Sequence, residues 1–532
     1  MIRRIFASLV AALALAPTSA RAQVQAERPA LVVFITVDQL RPDYFTRYQR
    51  QLTGGLARLA RGGAFFSRAY QDHAVTETAP GHASTLSGRF PASTGIVGNA
   101  YGVLDSQTTL IGGGTGASPF RFRGSTLIDW MRTADARSRA LSISRKDRGA
   151  ILPLGRAHQS VFWYDFRGGF TTSTYYADTL PDWVKAFNER RIPQSMAGQE
   201  WNLLLRDPRL YPEPDTVRWE SASPIAGGRH EPAFPHRIPA HPDSAAKYFT
   251  EFPFMDQLTA DAAIAGLRAM NLGRGAAPDL LAVSFSTTDA VGHRYGPDSR
   301  EIHDQVLRLD RTLGAFIDSV YAQVDSSHVV FALTSDHGVA SFPEVAYGDS
   351  AGAFHVSVDT IIRRLGGQVS AMGAGAAAIE WDDGLLFVRR DRLPAGMDAD
   401  AFLRDFAAAA RRVPGVARVD RMEDLRAMAP EAVQRDEVAR RWLHMIPRDQ
   451  PIPLVVTLRP GAVWGARSYA MHGTPHAYDA HVPVIFYGAG IRPGRYDTFA
   501  RVVDMGPTLA HVLGVAPTET LDGRVLEQAL AR

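Results

Sequence analysis

The chemistry this sequence could perform rests on a set of aspartates and histidines and one threonine-rich loop. Asp38, Asp289 and Asp336 each stand just past an apolar run, and two have a histidine partner, as Asp289-x-x-x-His293 and Asp336-His337. His472, in His472-Gly473-Thr474-Pro475, and His476 follow late in the chain. One such aspartate would be an ordinary turn or cap residue; three argue for a shared site. Asp289 and His293 are spaced to converge on one ion. The adjacent Asp336 and His337 can do so only if the chain turns, which Gly338 would assist. Asp38, one Asp-His pair and a hydroxyl would make one metal site; the other pair and a late histidine would make a second. Oxygen and nitrogen donors in low coordination number favour zinc over manganese or iron. Two ions about 4 Å apart form the clamp used in phosphoryl transfer.

The hydroxyl comes from Thr76-Glu77-Thr78-Ala79-Pro80-Gly81-His82, ahead of a short helix expected over His82 to Leu86. A hydroxyl at a helix N-terminus faces unpaired N–H groups and the positive end of the dipole, where a phosphate is welcome. By itself such a threonine is an ordinary cap; the carboxylates and imidazoles elsewhere make it a candidate nucleophile. Lys146 and Arg148 are two apart, so in an extended segment both point to one face. They could bind the non-bridging oxygens of a phosphoryl group, with Asn99 donating a further hydrogen bond. Two cations suit a doubly charged monoester better than a singly charged diester.

These residues need a scaffold. Ala30–Val37, Asp279–Ser286 and His328–Thr334 are continuous apolar runs, as expected of strands buried on both faces of a parallel sheet. Each leads to one of the aspartates, and ligands in open α/β sheets sit outside the carboxyl ends of strands. A fourth run, Val482 to Tyr487, has no aspartate at its exit. Helical patterns at Leu52–Arg61, Gln257–Met270, Ile302–Val324 and Met505–Leu513 fit crossover helices. The fold expected is α/β: a doubly wound, mostly parallel sheet with helices on both faces and two insertions forming a cap. Core segments are expected at 23–150, 251–369 and 451–532. Between them lie an aromatic-rich insertion at 151–250 and a small βαβ insertion at 370–450. The block Phe162-Trp163-Tyr164 would line the entrance or fill the insertion's own core.

With 532 residues, 45% hydrophobic and 21% charged, the chain is globular. Residues 1–22 read as a signal peptide: Arg3 and Arg4, an apolar stretch from Ile5 to Ala16, and the cleavage site Ala20-Arg21-Ala22. The protein is therefore expected in the periplasm or outside the cell, by the general secretory route rather than the twin-arginine one. No apolar run is long enough to span a bilayer. Cleavage after Ala22 removes three arginines and no acid, leaving 55 basic and 55 acidic side chains. No case remains for a nucleic-acid-binding surface. With no cysteine, the chain has no disulfide and any metal must be held by Asp, Glu, His and hydroxyls.

The ordered set Val37-Asp38, Thr76–His82, Gly95–Asn99, Lys146-Asp147-Arg148-Gly149, Asp289–His293, Asp336-His337-Gly338 and His472–Pro475 resembles the alkaline phosphatase superfamily. It is most similar to exported threonine-nucleophile phosphatases related to nucleotide pyrophosphatase/phosphodiesterases. The resemblance covers most of the mature chain. It implies two zinc ions, one held by Asp38, Thr78, Asp336 and His337, the other by Asp289, His293 and His472, with His476 competing for the last place. It implies Thr78 as nucleophile, a phosphothreonine intermediate, and Asn99, Lys146 and Arg148 on the substrate's phosphoryl oxygens. The function expected is hydrolysis of small phosphate monoesters. A phosphodiesterase or nucleotide pyrophosphatase on the same scaffold is the alternative, and a non-catalytic phosphate- or metal-binding protein a more distant one.

Overall fold

The structure, a computed structural model, describes residues 28–217, 220, 232–371, 378–465 and 470–531. The expected signal peptide, residues 1–22, lies outside the described residues.

Leu31–Val37, all apolar but for Thr36, forms a strand buried along its whole length. Its side chains alternate between two cores. Leu31, Val33, Ile35 and Val37 face one, with the helices Gly55–Gly62, Phe254–Ala269 and Arg300–Tyr321. Val32 and Phe34 face the other, with Thr78–Ser87, Leu127–Ala134 and Met505–Leu513. Burial on both faces is why the run is continuously apolar rather than alternating. Arg300–Tyr321 shows the complementary helical logic. Ser299 caps it by accepting from the Ile302 N–H at 3.1 Å, and Ile302, Val306, Leu309, Leu313, Phe316 and Val320 are buried.

The central sheet has nine strands in the order Gly494–Arg501, Ala64–Tyr70, His481–Gly488, Val329–Thr334, Leu31–Val37, Asp279–Phe285, Ala140–Ser144, Ser160–Asp165, Gly169–Thr171. The five strands from Val329–Thr334 to Ser160–Asp165 are parallel. The expected mostly parallel sheet with helices on both faces is thus the architecture found. His481–Gly488 runs antiparallel to both its neighbours, Val329–Thr334 and Ala64–Tyr70. Its reversal explains the missing aspartate at its exit: the residues before it, not after it, reach the site.

The block Phe162-Trp163-Tyr164 lines no entrance. It is buried inside Ser160–Asp165, pairing Ile143 with Phe162 and Ser144 with Trp163. A second sheet runs Ile379–Asp382, Leu385–Val388, Leu454–Leu458, Val416–Arg421, antiparallel throughout. The helix Ala399–Ala410 links two of its strands, Leu385–Val388 and Val416–Arg421, and Leu454–Leu458 separates them. The βαβ unit is therefore split.

Candidate active site

Thr78 opens the helix Thr78–Ser87. That helix starts four residues before the expected His82, because Pro80 falls in its first turn, where a missing N–H costs nothing. Glu77 before it is extended, and the Gly81 N–H closes the first turn on the Glu77 carbonyl at 3.0 Å. All ten helical residues are buried, so the helix lies beneath the site and not on the surface. Gly81 is required by close approach: a Cβ there would stand 2.3 Å from the Asp336 carbonyl oxygen.

The Asp-His pairs meet above the strand ends. Asp289 and His293 lie one turn apart on the helix Thr287–Tyr295, with His293 Nε2 3.1 Å from Asp289 Oδ1. His472 Nε2 is 3.2 Å from His293 Nε2, and the Asp289, His293 and His472 ligand atoms all lie within 4.8 Å of one another. Asp38, Asp289 and His337 make a second such group. His337 Nε2 is 3.4 Å from Asp38 Oδ1 and 3.6 Å from Asp336 Oδ2. His476 is turned elsewhere, its Nε2 on the Leu458 carbonyl at 2.8 Å.

Lys146, just past the strand Ala140–Ser144, reaches into the same space. Its Nζ stands 2.7 Å from both Asp38 Oδ2 and Asp289 Oδ2, and donates to Thr78 Oγ1 at 3.1 Å. A short helix begins at Asp147, and the Arg148 N–H bonds the Asp147 carboxylate at 2.6 Å, while the Arg148 charge acts on Glu77, which accepts from the Asn99 N–H. The Oδ1 of Asn99 accepts from the Ala79 N–H at 3.0 Å, which leaves its NH2 group as the donor.

The electrostatics call for a cation. Burial raises the Asp38 carboxyl, and the charges of Asp289 and Asp336 push it further up. Burial opposes ionisation of Asp289 as well, yet Lys146 and His293 hold it well below the carboxylate range. Burial and then His472 push His337 well down, so its imidazole is neutral and its lone pair is available. Asp38 Oδ1, Asp336 Oδ2 and His337 Nε2 are buried without a hydrogen-bond partner. Unpaired carboxylate oxygens and a neutral imidazole nitrogen in one space are the donor chemistry that zinc takes.

Three supporting residues are absent from the sequence-based set. Gln39 donates through Nε2 to Asp289 Oδ1 and through its backbone N–H to Asp336 Oδ1, each at 3.2 Å, from a left-handed backbone at φ 65°. His82 places Nδ1 2.9 Å from the Thr78 carbonyl and 3.2 Å from Asp336 Oδ2. Glu77 accepts from the Asn99 N–H at 2.7 Å and is pushed up to about 7, by burial first. The signal for Gln39 was Gly292 inside Asp289–His293, where a Cβ would come within 1.9 Å of Gln39 Oε1. Gly338 likewise serves close approach rather than a turn, since its Cβ would lie 2.2 Å from the Tyr478 carbonyl oxygen.

The family profile described as Type I phosphodiesterase / nucleotide pyrophosphatase matches residues 32–391. The chain belongs to that family, within the alkaline phosphatase superfamily. Among its relatives, alkaline phosphatase PhoV of Synechococcus elongatus is 29% identical, over 94% of this chain and 93% of PhoV. Alkaline phosphatase PafA of Elizabethkingia meningoseptica is also 29% identical, over 95% of each chain. The crystal structure of PafA superposes with a TM-score of 0.84 at 26% identity, covering 95% of this chain and 99% of PafA. Murine ectonucleotide pyrophosphatase/phosphodiesterase 5 shares the fold at a TM-score of 0.54 and 14% identity, covering 94% of this chain and 100% of the murine one.

Proposed function

We propose that this member of the family is an exported phosphatase that hydrolyses small phosphate monoesters at a two-zinc site, with Thr78 as nucleophile. The observation that carries the reading is the Lys146 ammonium, 3.1 Å from the Thr78 hydroxyl and between two Asp-His sets. Full-length relatives named alkaline phosphatases support it. So does a solved PafA variant changed at a threonine, an asparagine, a lysine and an arginine, with the same threonine-to-asparagine and lysine-to-arginine spacings as Thr78, Asn99, Lys146 and Arg148.

Asp38, Thr78, Asp336 and His337 would hold one zinc, and Asp289, His293 and His472 the other. Zinc there supplies charge neutralisation and favours the deprotonated forms of a hydroxyl and a water. The chain's own groups do the rest. Thr78 Oγ1 attacks phosphorus in line, forming an O–P bond as the bond to the leaving oxygen breaks. Lys146, Arg148 and the Asn99 NH2 stabilise the equatorial oxygens. Water then cleaves the phosphothreonine from the opposite side, returning the Thr78 hydroxyl. The helix N-terminus beneath Thr78 adds its partial positive charge.

Comparing p-nitrophenyl phosphate with bis(p-nitrophenyl) phosphate tests the reading. The monoester should be strongly preferred, and Thr78→Ala should lose about 10³-fold or more in turnover with its zinc content largely kept. A diester preference would instead favour the phosphodiesterase reading, and full activity in Thr78→Ala would remove the nucleophile.

A further inference from the structure

We propose that Arg441, on the helix Glu437–Met445, is a positioning residue: its buried guanidinium fixes the loop that carries the nucleophile against the loop that carries His472. The inference rests on the phosphatase reading above. Tyr70, at the end of one strand, pairs with His481, at the start of its antiparallel neighbour. The loops at 71–77 and 471–480 therefore run side by side. Bonds join them directly: Gln71 N–H to the Ala480 carbonyl at 2.8 Å, Thr76 Oγ1 to the Thr474 carbonyl at 2.9 Å, and His472 Nδ1 to the Thr76 carbonyl at 2.8 Å.

Arg441 adds a tie from outside both loops. Its Nη1 donates to the Pro475 carbonyl at 2.5 Å and its Nε to Asp72 Oδ1 at 3.4 Å. Arg440 binds the same carboxylate, at 3.0 and 3.1 Å, and His444 Nδ1 meets the Asp72 carbonyl at 2.7 Å. Burial would raise Asp72, but His444 and Arg440 hold it well below the usual carboxylate range. Asp72 thus has its charge partner in Arg440, and burying a second guanidinium for that purpose alone would cost desolvation. What Arg441 contributes is the fork: two donors that span Asp72 and Pro475 at once, which a single ammonium does not. Without it the two loops keep only their direct bonds, and the position of Thr78 relative to His472 is less closely fixed.

The test uses the full zinc-loaded chain, with kcat and KM on p-nitrophenyl phosphate and zinc retention against a chelator. Arg441→Lys keeps the positive charge but breaks the span. Its kcat should fall by about 10- to 10²-fold with KM little changed, and one of the two zinc ions should be lost faster. Arg440→Ala should lower the Tm while leaving kcat near wild type. Arg441→Gln, which keeps an N–H donor, takes the place of Arg441→Lys if that variant fails to fold, with the same outcomes. Wild-type kcat and zinc retention in the Arg441 variant would overturn the proposal, as would an equal loss of kcat in Arg440→Ala. An inactive wild type would instead overturn the phosphatase reading.

Discussion

The Lys146 ammonium lies 3.1 Å from the Thr78 hydroxyl oxygen and 2.7 Å from carboxylates belonging to both candidate metal sets. A single buried cation thus stands where the proposed nucleophile and the two candidate sets of metal ligands meet. Arg148, two residues on, bonds the Asp147 carboxylate through its backbone N–H, and its charge acts on Glu77 beside Asn99.

Both cations should favour the monoester. Lys146→Ala is expected to reduce monoester turnover by about 10²- to 10³-fold, with a much smaller effect on diester turnover. Arg148→Ala should act in the same direction, with a larger loss on the monoester than on the diester. Rates of both variants on the paired nitrophenyl substrates check this, and equal losses on the two esters would remove Lys146 as the source of monoester preference.

His472 and His476 can be separated by metal content. His472→Ala should lower zinc from two ions per chain towards one, whereas His476→Ala, which breaks the bond to the Leu458 carbonyl and a ring contact with Tyr478, should keep both. Elemental analysis after gel filtration reads the outcome directly.

Two glycines predict different failures. A Cβ at Gly292 meets only the tip of Gln39, which can move away and surrender its bond to Asp289. Gly292→Ala should fold normally and lose about 10- to 10²-fold in zinc affinity or turnover. A Cβ at Gly81 meets backbone at Asp336, which cannot yield. Gly81→Ala should cost about 1–3 kcal/mol or more in stability, seen as a lower denaturation midpoint.

His73 supplies a pH signature away from the metals. Both its ring nitrogens are buried without partners, and burial brings its pKa down from 6.5 to about 3. The unfolded chain takes up this proton at a pH where the native one does not. The stability involved is complete above 6.5 and is lost as pH falls towards about 3. In His73→Gln the Tm should fall less steeply than in wild type between about pH 7 and about pH 4.5. Parallel slopes would exclude His73 as a source of acid lability.

Much of this was legible in the sequence. The strand-end aspartates announced themselves because continuous apolar runs can be buried on both faces only in a covered parallel sheet, whose carboxyl ends gather ligands. Thr78 followed from its place before Pro80 and Gly81. The helix that begins at Asp147, between Lys146 and Arg148, was not legible, because its five residues, one of them a glycine, carry no periodic pattern. Gln39 and Arg441 escaped notice for another reason. Each acts through partners from other elements, Asp289 and Asp336 for Gln39 and Asp72 and Pro475 for Arg441, and neither spacing nor periodicity encodes such a contact. The aromatic block at Phe162 misled because a buried inner strand of the central sheet and the core of an insertion have the same composition.

The reversed strand His481–Gly488 also sets an order of assembly. It is inserted between Ala64–Tyr70 and Val329–Thr334, so the sheet stays divided until nearly the whole chain has been synthesised. Asp38 and Thr78 emerge early and His472 almost last. The candidate metal site therefore cannot close on a chain that stops short of His472, and the long-range pairing of His481–Gly488 with Ala64–Tyr70, which forms slowly, brings its last loop into place. A truncated or stalled product would carry Thr78 and Asp38 without His472 beside them.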